Sequence, residues 1–115
     1  MSEKDRLNII SMLDAIDKVL EYSADYQNAD EFNEHQRDFD AAMMNFIIIG
    51  EMVGRFSERF IKEHPHIEWF KIRGFRNIVA HNYFGIDAEE VWQIIQNKLP
   101  QLKLDLQNIL DNLSS

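Results

Sequence analysis

The chain has 115 residues and a mass of 13.6 kDa, enough for one hydrophobic core and no second. With 45% apolar residues, 4 Gly and 2 Pro, it is neither collagen-like nor disordered. A net charge of −8 is not the footprint of a general nucleic-acid binder, and zero cysteines exclude disulfides, thiolate zinc sites and a cysteine nucleophile.

From Ser2 to Tyr26, Ile9, Met12, Leu13, Ile16, Val19 and Leu20 recur at the spacing of an amphipathic helix. A second, longer helical pattern runs from Phe32 to Lys62 through Phe39, Met43, Phe46, Ile49, Val53, Phe56 and Phe60. Its middle, Met43 to Val53, is apolar on more than one face, which implies burial on both sides by a partner subunit or by a dense core around a bent helix. Gly50 and Gly54 within it permit close approach of another backbone.

His64-Pro65-His66 ends that helix, because proline disfavours helical geometry in the residue before it. A third helix is expected from Glu68 to Tyr83, with Trp69, Ile72, Phe75 and Val79 facing inward and Gly85 as a left-handed terminator. Asp87 reads as an N-cap with Glu90 completing a capping box, before Val91, Ile94, Ile95 and Leu99. Pro100 suits the first turn of a last helix carrying Leu102, Leu106, Ile109 and Leu113. The expected fold is all-α, an up-and-down bundle of four to five helices forming a single domain over residues 1–115. No basic head precedes an apolar stretch at the start, and the longest apolar run, Phe46 to Ile49, is far short of the ~18 residues of a membrane span. A soluble, cytoplasmic protein without membrane contact is expected.

The average charge hides a basic strip. Arg55, Arg59, Lys62, Lys71, Arg73 and Arg76 face only Glu58, Glu63 and Glu68, a local balance of +3. Screening over ~8–10 Å lets such a strip hold phosphates on an acidic body, although a solvated helix face would look the same. Glu63, His64 and His66 flank a proline and lack a second ligand cluster, so no metal site is expected. The scattered glycines form no phosphate loop, and Ser11, Ser23 and Ser57 have no neighbouring base.

Chemistry concentrates in Arg76-Asn77-Ile78-Val79-Ala80-His81-Asn82-Tyr83-Phe84-Gly85. Arginine holds phosphate oxygens through paired hydrogen bonds, and histidine exchanges protons near neutral pH. On an ideal helix Arg76 and Tyr83 share a face, whereas His81 lies about 140° from Arg76. Either the helix loosens near His81, or a second copy completes the site across a two-fold axis. A helix end capped by His81, with Arg76 paired to a glutamate and Tyr83 packed, is the purely structural alternative.

This decapeptide resembles the RxxxxHxY signature of the HEPN superfamily, specifically the HepT-like toxins. Ile49-Gly50-Glu51, His64-Pro65 with Trp69, Ile72, Gly74 and Arg76-Asn77, and Tyr83-Phe84-Gly85-Ile86-Asp87 through Val91-Trp92 and Leu99-Pro100-Gln101-Leu102 extend the resemblance over Leu7 to Leu110. It implies a HEPN-like helical homodimer whose paired motifs line a cleft, acting as a metal-independent RNA endonuclease without a cofactor. It further implies the toxin of a type VII toxin-antitoxin pair, neutralised when an MNT-type nucleotidyltransferase antitoxin adenylylates the motif tyrosine. Carried over, Arg76 would stabilise transition-state charge, His81 would act as general base or acid, Asn77 would orient the phosphate or the arginine, and Tyr83 would be the modification target. A non-catalytic subunit presenting nucleotide or substrate to a nucleotidyltransferase is the alternative.

Overall fold

Capping chemistry and the apolar stripes define the elements of the computed structural model, which describes residues 2–112. Helix α1 (Glu3–Ser23) starts where the Ser2 hydroxyl accepts the Asp5 amide at 3.1 Å. Asn28 caps α2 (Ala29–Glu34) by accepting the Glu31 amide at 2.8 Å. His35 separates α2 from α3 (Gln36–Val53), and Ser57 caps α4 (Glu58–Glu63). Then come α5 (Trp69–His81), a 3-10 turn at Tyr83–Gly85, α6 (Ala88–Asn97) and α7 (Leu99–Asn112).

All regular structure among the described residues is helical, as the apolar periodicity requires. There are seven α-helices there rather than four or five, because the expected second helix divides into α2, α3 and α4. The first break comes at His35, whose φ of −90° and ψ of 77° are not helical. The second comes where Arg55 closes a turn onto the Met52 carbonyl and Ser57 opens a new helix by accepting the Phe60 amide at 3.1 Å. Leu113, expected on the last helix, lies outside the described residues.

Helix α3 lies between α1 and α5 and packs against both. Met43, Phe46, Ile49 and Val53 are buried there, so the second apolar face of α3 is taken by α5 of the same chain. Only Met44 of this stretch stands well out, at 58% exposure. Aromatic rings join the layers: Phe46 meets Phe75 edge-on at 5.0 Å, and Phe32 contacts Phe39 and Trp92 at 5.3 and 6.0 Å. Helix α7 closes the bundle against α1 and α6.

Asp5 ties the start of α1 to the start of α4. Its carboxylate, 2% exposed, accepts the Ser57 amide at 2.9 Å and the Ser57 hydroxyl at 2.7 Å. Burial, the strongest single influence, opposes its charge, but the bonds from Ser57 and Ser2 together outweigh it and hold its pKa below the ordinary carboxyl value. A depressed folded pKa contributes stability above the unfolded value of about 3.9, and that contribution disappears as pH falls through the folded value. Asp5→Ala is therefore expected to cost about 1–3 kcal/mol at pH 7, by leaving the Ser57 amide without its acceptor. In urea titrations the gap between wild type and variant should narrow below about pH 4; a gap independent of pH would refute this role.

Candidate active site

Three of the four motif residues stand on α5 and the fourth on the turn behind it. Arg76 and Asn77 sit mid-helix, His81 is the last residue of α5, and Tyr83 opens the 3-10 turn. The helix remains regular through His81 and stops at Asn82, where φ is −140° and ψ is 50°. The expected continuation to Tyr83 is thus corrected, and Tyr83 does not share a helix face with Arg76. Gly85 is corrected too, since no glycine has positive φ. A Cβ at Gly85 would lie 2.5 Å from Asn82 Nδ2 and 2.8 Å from Asn82 Cγ, so the exposed Asn82 amide would have to turn aside. Asp87 caps α6 through the Glu89 amide at 3.0 Å.

Arg76 is the anchored member. Its Nη2 donates to Glu51 of α3 in an ion pair, and its Nη1 donates to Asn77 Oδ1 at 3.1 Å. The side chain is only 26% exposed, and its Nε is buried without a hydrogen-bond partner. Gly50 makes this placement possible. A Cβ there would collide with Arg76 Cβ and Cγ, and Arg76 Cα would lie 3.5 Å away, so the missing side chain on α3 is the space Arg76 fills. The close approach permitted by Gly50 is that of α5 in the same chain.

Tyr83 is held by a different group. Its hydroxyl donates to Asp40 on α3, and Gln36 Nε2 donates to the same Asp40 oxygen at 2.6 Å. Burial and then the Asp40 hydrogen bond raise the phenol pKa well above its ordinary value, so the hydroxyl keeps its proton. His81 is exposed and has no hydrogen-bond partner among the described residues. The structure therefore joins Arg76 to Asn77 and Glu51, and Tyr83 to Asp40 and Gln36. It leaves His81 open to solvent, about 140° around a regular helix from Arg76.

Glu51, Asp40 and Gln36 were not assigned roles from the sequence. Glu51 carried a signal, since a carboxylate within an apolar helix needs a cation, but spacing does not identify one 25 residues away. Asp40 carried none. Among the described residues no His, Asp or Glu group is arranged to hold a metal ion; His64 packs on Phe60 at 4.6 Å and meets the His66 ring at 5.9 Å. A concavity of about 620 Å³ bounded by Ile72, Phe75, Ile78, Ile94 and Leu102 contains none of the four motif residues. No described helix is long and apolar enough to cross a membrane.

Sequence comparison with known proteins gives the chain its family. The chain is 28% identical over 114 residues to "Putative RNase MJ0127" of Methanocaldococcus jannaschii, covering 98% of this chain and 93% of that protein. It is 29% identical over 102 residues to "Probable ribonuclease HepT" of Thermococcus cleftensis, covering 89% and 90%. No solved structure matches. The family model described as ribonuclease HepT-like matches residues 12–109, which include all four motif positions, and the chain belongs to the HepT-like ribonuclease family.

Proposed function

We propose that this protein is a metal-independent RNA endonuclease that works as a homodimer and serves as the toxin of a type VII toxin-antitoxin pair. The observation that carries the reading is the pairing of opposites on α5: a guanidinium pinned by Glu51 and Asn77, and an imidazole with no partner one and a half turns later. A fixed cation suits charge building on phosphorus, and an unengaged ring can move a proton. In the reaction the RNA 2′-oxygen attacks the adjacent phosphorus and the bond to the 5′-oxygen breaks. This leaves a cyclic phosphate and a free 5′-hydroxyl. His81 accepts the 2′-hydroxyl proton, and its counterpart on the second copy protonates the leaving oxygen. Arg76 balances the added negative charge while Asn77 keeps its fork aimed.

The helix geometry supports a second copy, since Arg76 and His81 point in different directions from one regular helix. The solvent side of α5 supports this. Phe70 is 93% exposed, Ile78 is 45% exposed, and nothing lies within 4 Å of where a Cβ on Gly74 would be. Such a face suits a self-complementary contact, and it replaces α3 as the surface assigned to the partner.

Regulation rests on Tyr83. An MNT-type nucleotidyltransferase antitoxin attaches AMP when the Tyr83 oxygen attacks the α-phosphorus of ATP and pyrophosphate leaves. The adduct's phosphate and purine then compete with RNA for the site. One set of measurements tests the reading. The purified chain should scatter light at about twice the 13.6 kDa chain mass and cut RNA in the presence of EDTA. Incubation with the nucleotidyltransferase, ATP and magnesium should abolish cutting and add AMP mass at Tyr83, which Tyr83→Phe prevents. A monomer, loss of activity in EDTA, or label on another residue would each overturn the corresponding part.

A further inference from the structure

Three of the six cations of the basic strip are paired within the chain; the side chains of Arg55, Lys62 and Arg73 are not, and of these only Arg73 stands on α5 beside Arg76. Arg59 pairs with Glu63 at 2.9 Å, Lys71 with Glu68 at 2.6 Å, and Arg76 with Glu51. Arg73 has neither ion pair nor hydrogen bond among the described residues, in a chain with 20 acidic side chains. It is exposed and lies three residues before Arg76 and four before Asn77, so it projects about 60° from the first and 40° from the second around the axis. Its guanidinium folds over the end of α3: a Cβ on Gly54 would lie 3.8 Å from Arg73 Cζ and Nη1.

Helix α3 thus provides a ruler. Arg76 lies at Glu51 and Arg73 at Gly54, three positions further along α3, so the two guanidinia are spaced along the α3–α5 seam by about one helical turn, roughly 5 Å. A nucleic-acid strand advances about 3.4 Å per phosphate when stacked in a duplex and further when extended. One turn of helix therefore separates neighbouring phosphates. Of the two arginines, Arg76 is already partly neutralised by a carboxylate, whereas Arg73 offers its full charge to an anion from outside.

We propose that Arg73 binds the phosphate next to the one held by Arg76, so that the RNA strand runs along the α3–α5 seam toward the N-terminal end of α5. This inference rests on the RNA endonuclease reading above, and it makes Arg73 a substrate-binding residue without a part in bond breaking. Wild type, Arg73→Ala and Arg73→Lys would be compared for binding of a fluorescent RNA oligonucleotide over a salt series, and for cleavage of that oligonucleotide and of a dinucleotide with a single phosphate.

Arg73→Ala should weaken oligonucleotide binding by roughly tenfold at physiological salt. It should also flatten the slope of log affinity against log salt by about 0.7, the value for one contact on a single strand. Arg73→Lys should keep the slope. Dinucleotide cleavage should be unchanged in both variants, because no neighbouring phosphate exists. An unchanged slope in Arg73→Ala, or equal losses on dinucleotide and oligonucleotide, would overturn the proposal. Wild-type protein that binds RNA with the Arg73-dependent slope but never cuts it would overturn the endonuclease reading and leave the contact standing; absence of RNA binding would overturn both.

Discussion

RNA cleavage is expected to fall by about a hundredfold or more in both His81→Ala and Arg76→Ala, and the two variants should differ in stability. The rate loss is the scale for removing a general acid–base or an oxyanion donor. His81 is exposed and makes no hydrogen bond, so its removal should leave the unfolding free energy within about 0.5 kcal/mol of wild type. Arg76 packs its aliphatic stem into the space at Gly50 and satisfies Glu51, so Arg76→Ala should cost about 1–2 kcal/mol as well. Arg76→Lys keeps the charge but cannot bond Glu51, Asn77 and a phosphate in the fork geometry, so activity should remain well below wild type. Rates, denaturation curves and RNA affinities measured on the same preparations decide the matter. Wild-type cleavage by His81→Ala would remove the imidazole from the mechanism. Lost cleavage with RNA binding retained would separate catalysis from a binding-only role.

The second large effect is expected at a residue with no side chain. Gly50→Ala replaces a poor helix former with the best one, worth about 0.5–1 kcal/mol in an open helix. Here the added methyl occupies the position of Arg76 Cβ and Cγ, so α5 must back away from α3. Overpacking of this kind costs about 1–3 kcal/mol, and the displaced guanidinium should lower cleavage by tenfold or more. Gly54→Ala is the control: its methyl would meet only the Glu51 carbonyl at 3.6 Å and the Arg73 guanidinium at 3.8 Å, both ordinary contacts. That variant should melt at or slightly above the wild-type temperature. Similar thermal shifts for both glycines would refute the special role of Gly50.

Much of the fold was legible because its signals are local. The stripe Ile9, Met12, Leu13, Ile16, Val19 is buried as its spacing requires, and Trp69 and Val79 face inward. Boundaries were harder. The apolar pattern continues through Phe56 and Phe60, whereas the break before them depends on Ser57 meeting Asp5, which is 52 residues away. The excess of apolar residues on α3 suggested a partner chain; α1 and α5 cover most of it within the chain, which periodicity cannot distinguish. At the site, Arg76, Asn77, His81 and Tyr83 lie within eight consecutive positions and could be read as a motif. Their supporting carboxylates, Glu51 and Asp40, come from another helix. Nothing in linear spacing connects residues 40 and 83 until α3 and α5 are packed side by side.

The Tyr83–Asp40 hydrogen bond gives a modified tyrosine a direction of travel. In the free phenol, the proton mediates between two oxygens that would otherwise repel. Esterification by a nucleotide removes that proton and puts a phosphate charge beside a carboxylate, with only the Gln36 amide left to donate to Asp40. Attachment thereby turns a latch into a spring. Under the proposed regulation the adduct would be pushed off Asp40, while Arg76 and Arg73 of α5 sit against Glu51 and Gly54, eleven and fourteen positions further along α3, roughly 16 to 21 Å away. Over that distance the cations are screened from the adduct, so what a nucleotide on Tyr83 would change directly is the hold of the Tyr83–Gly85 turn on α3.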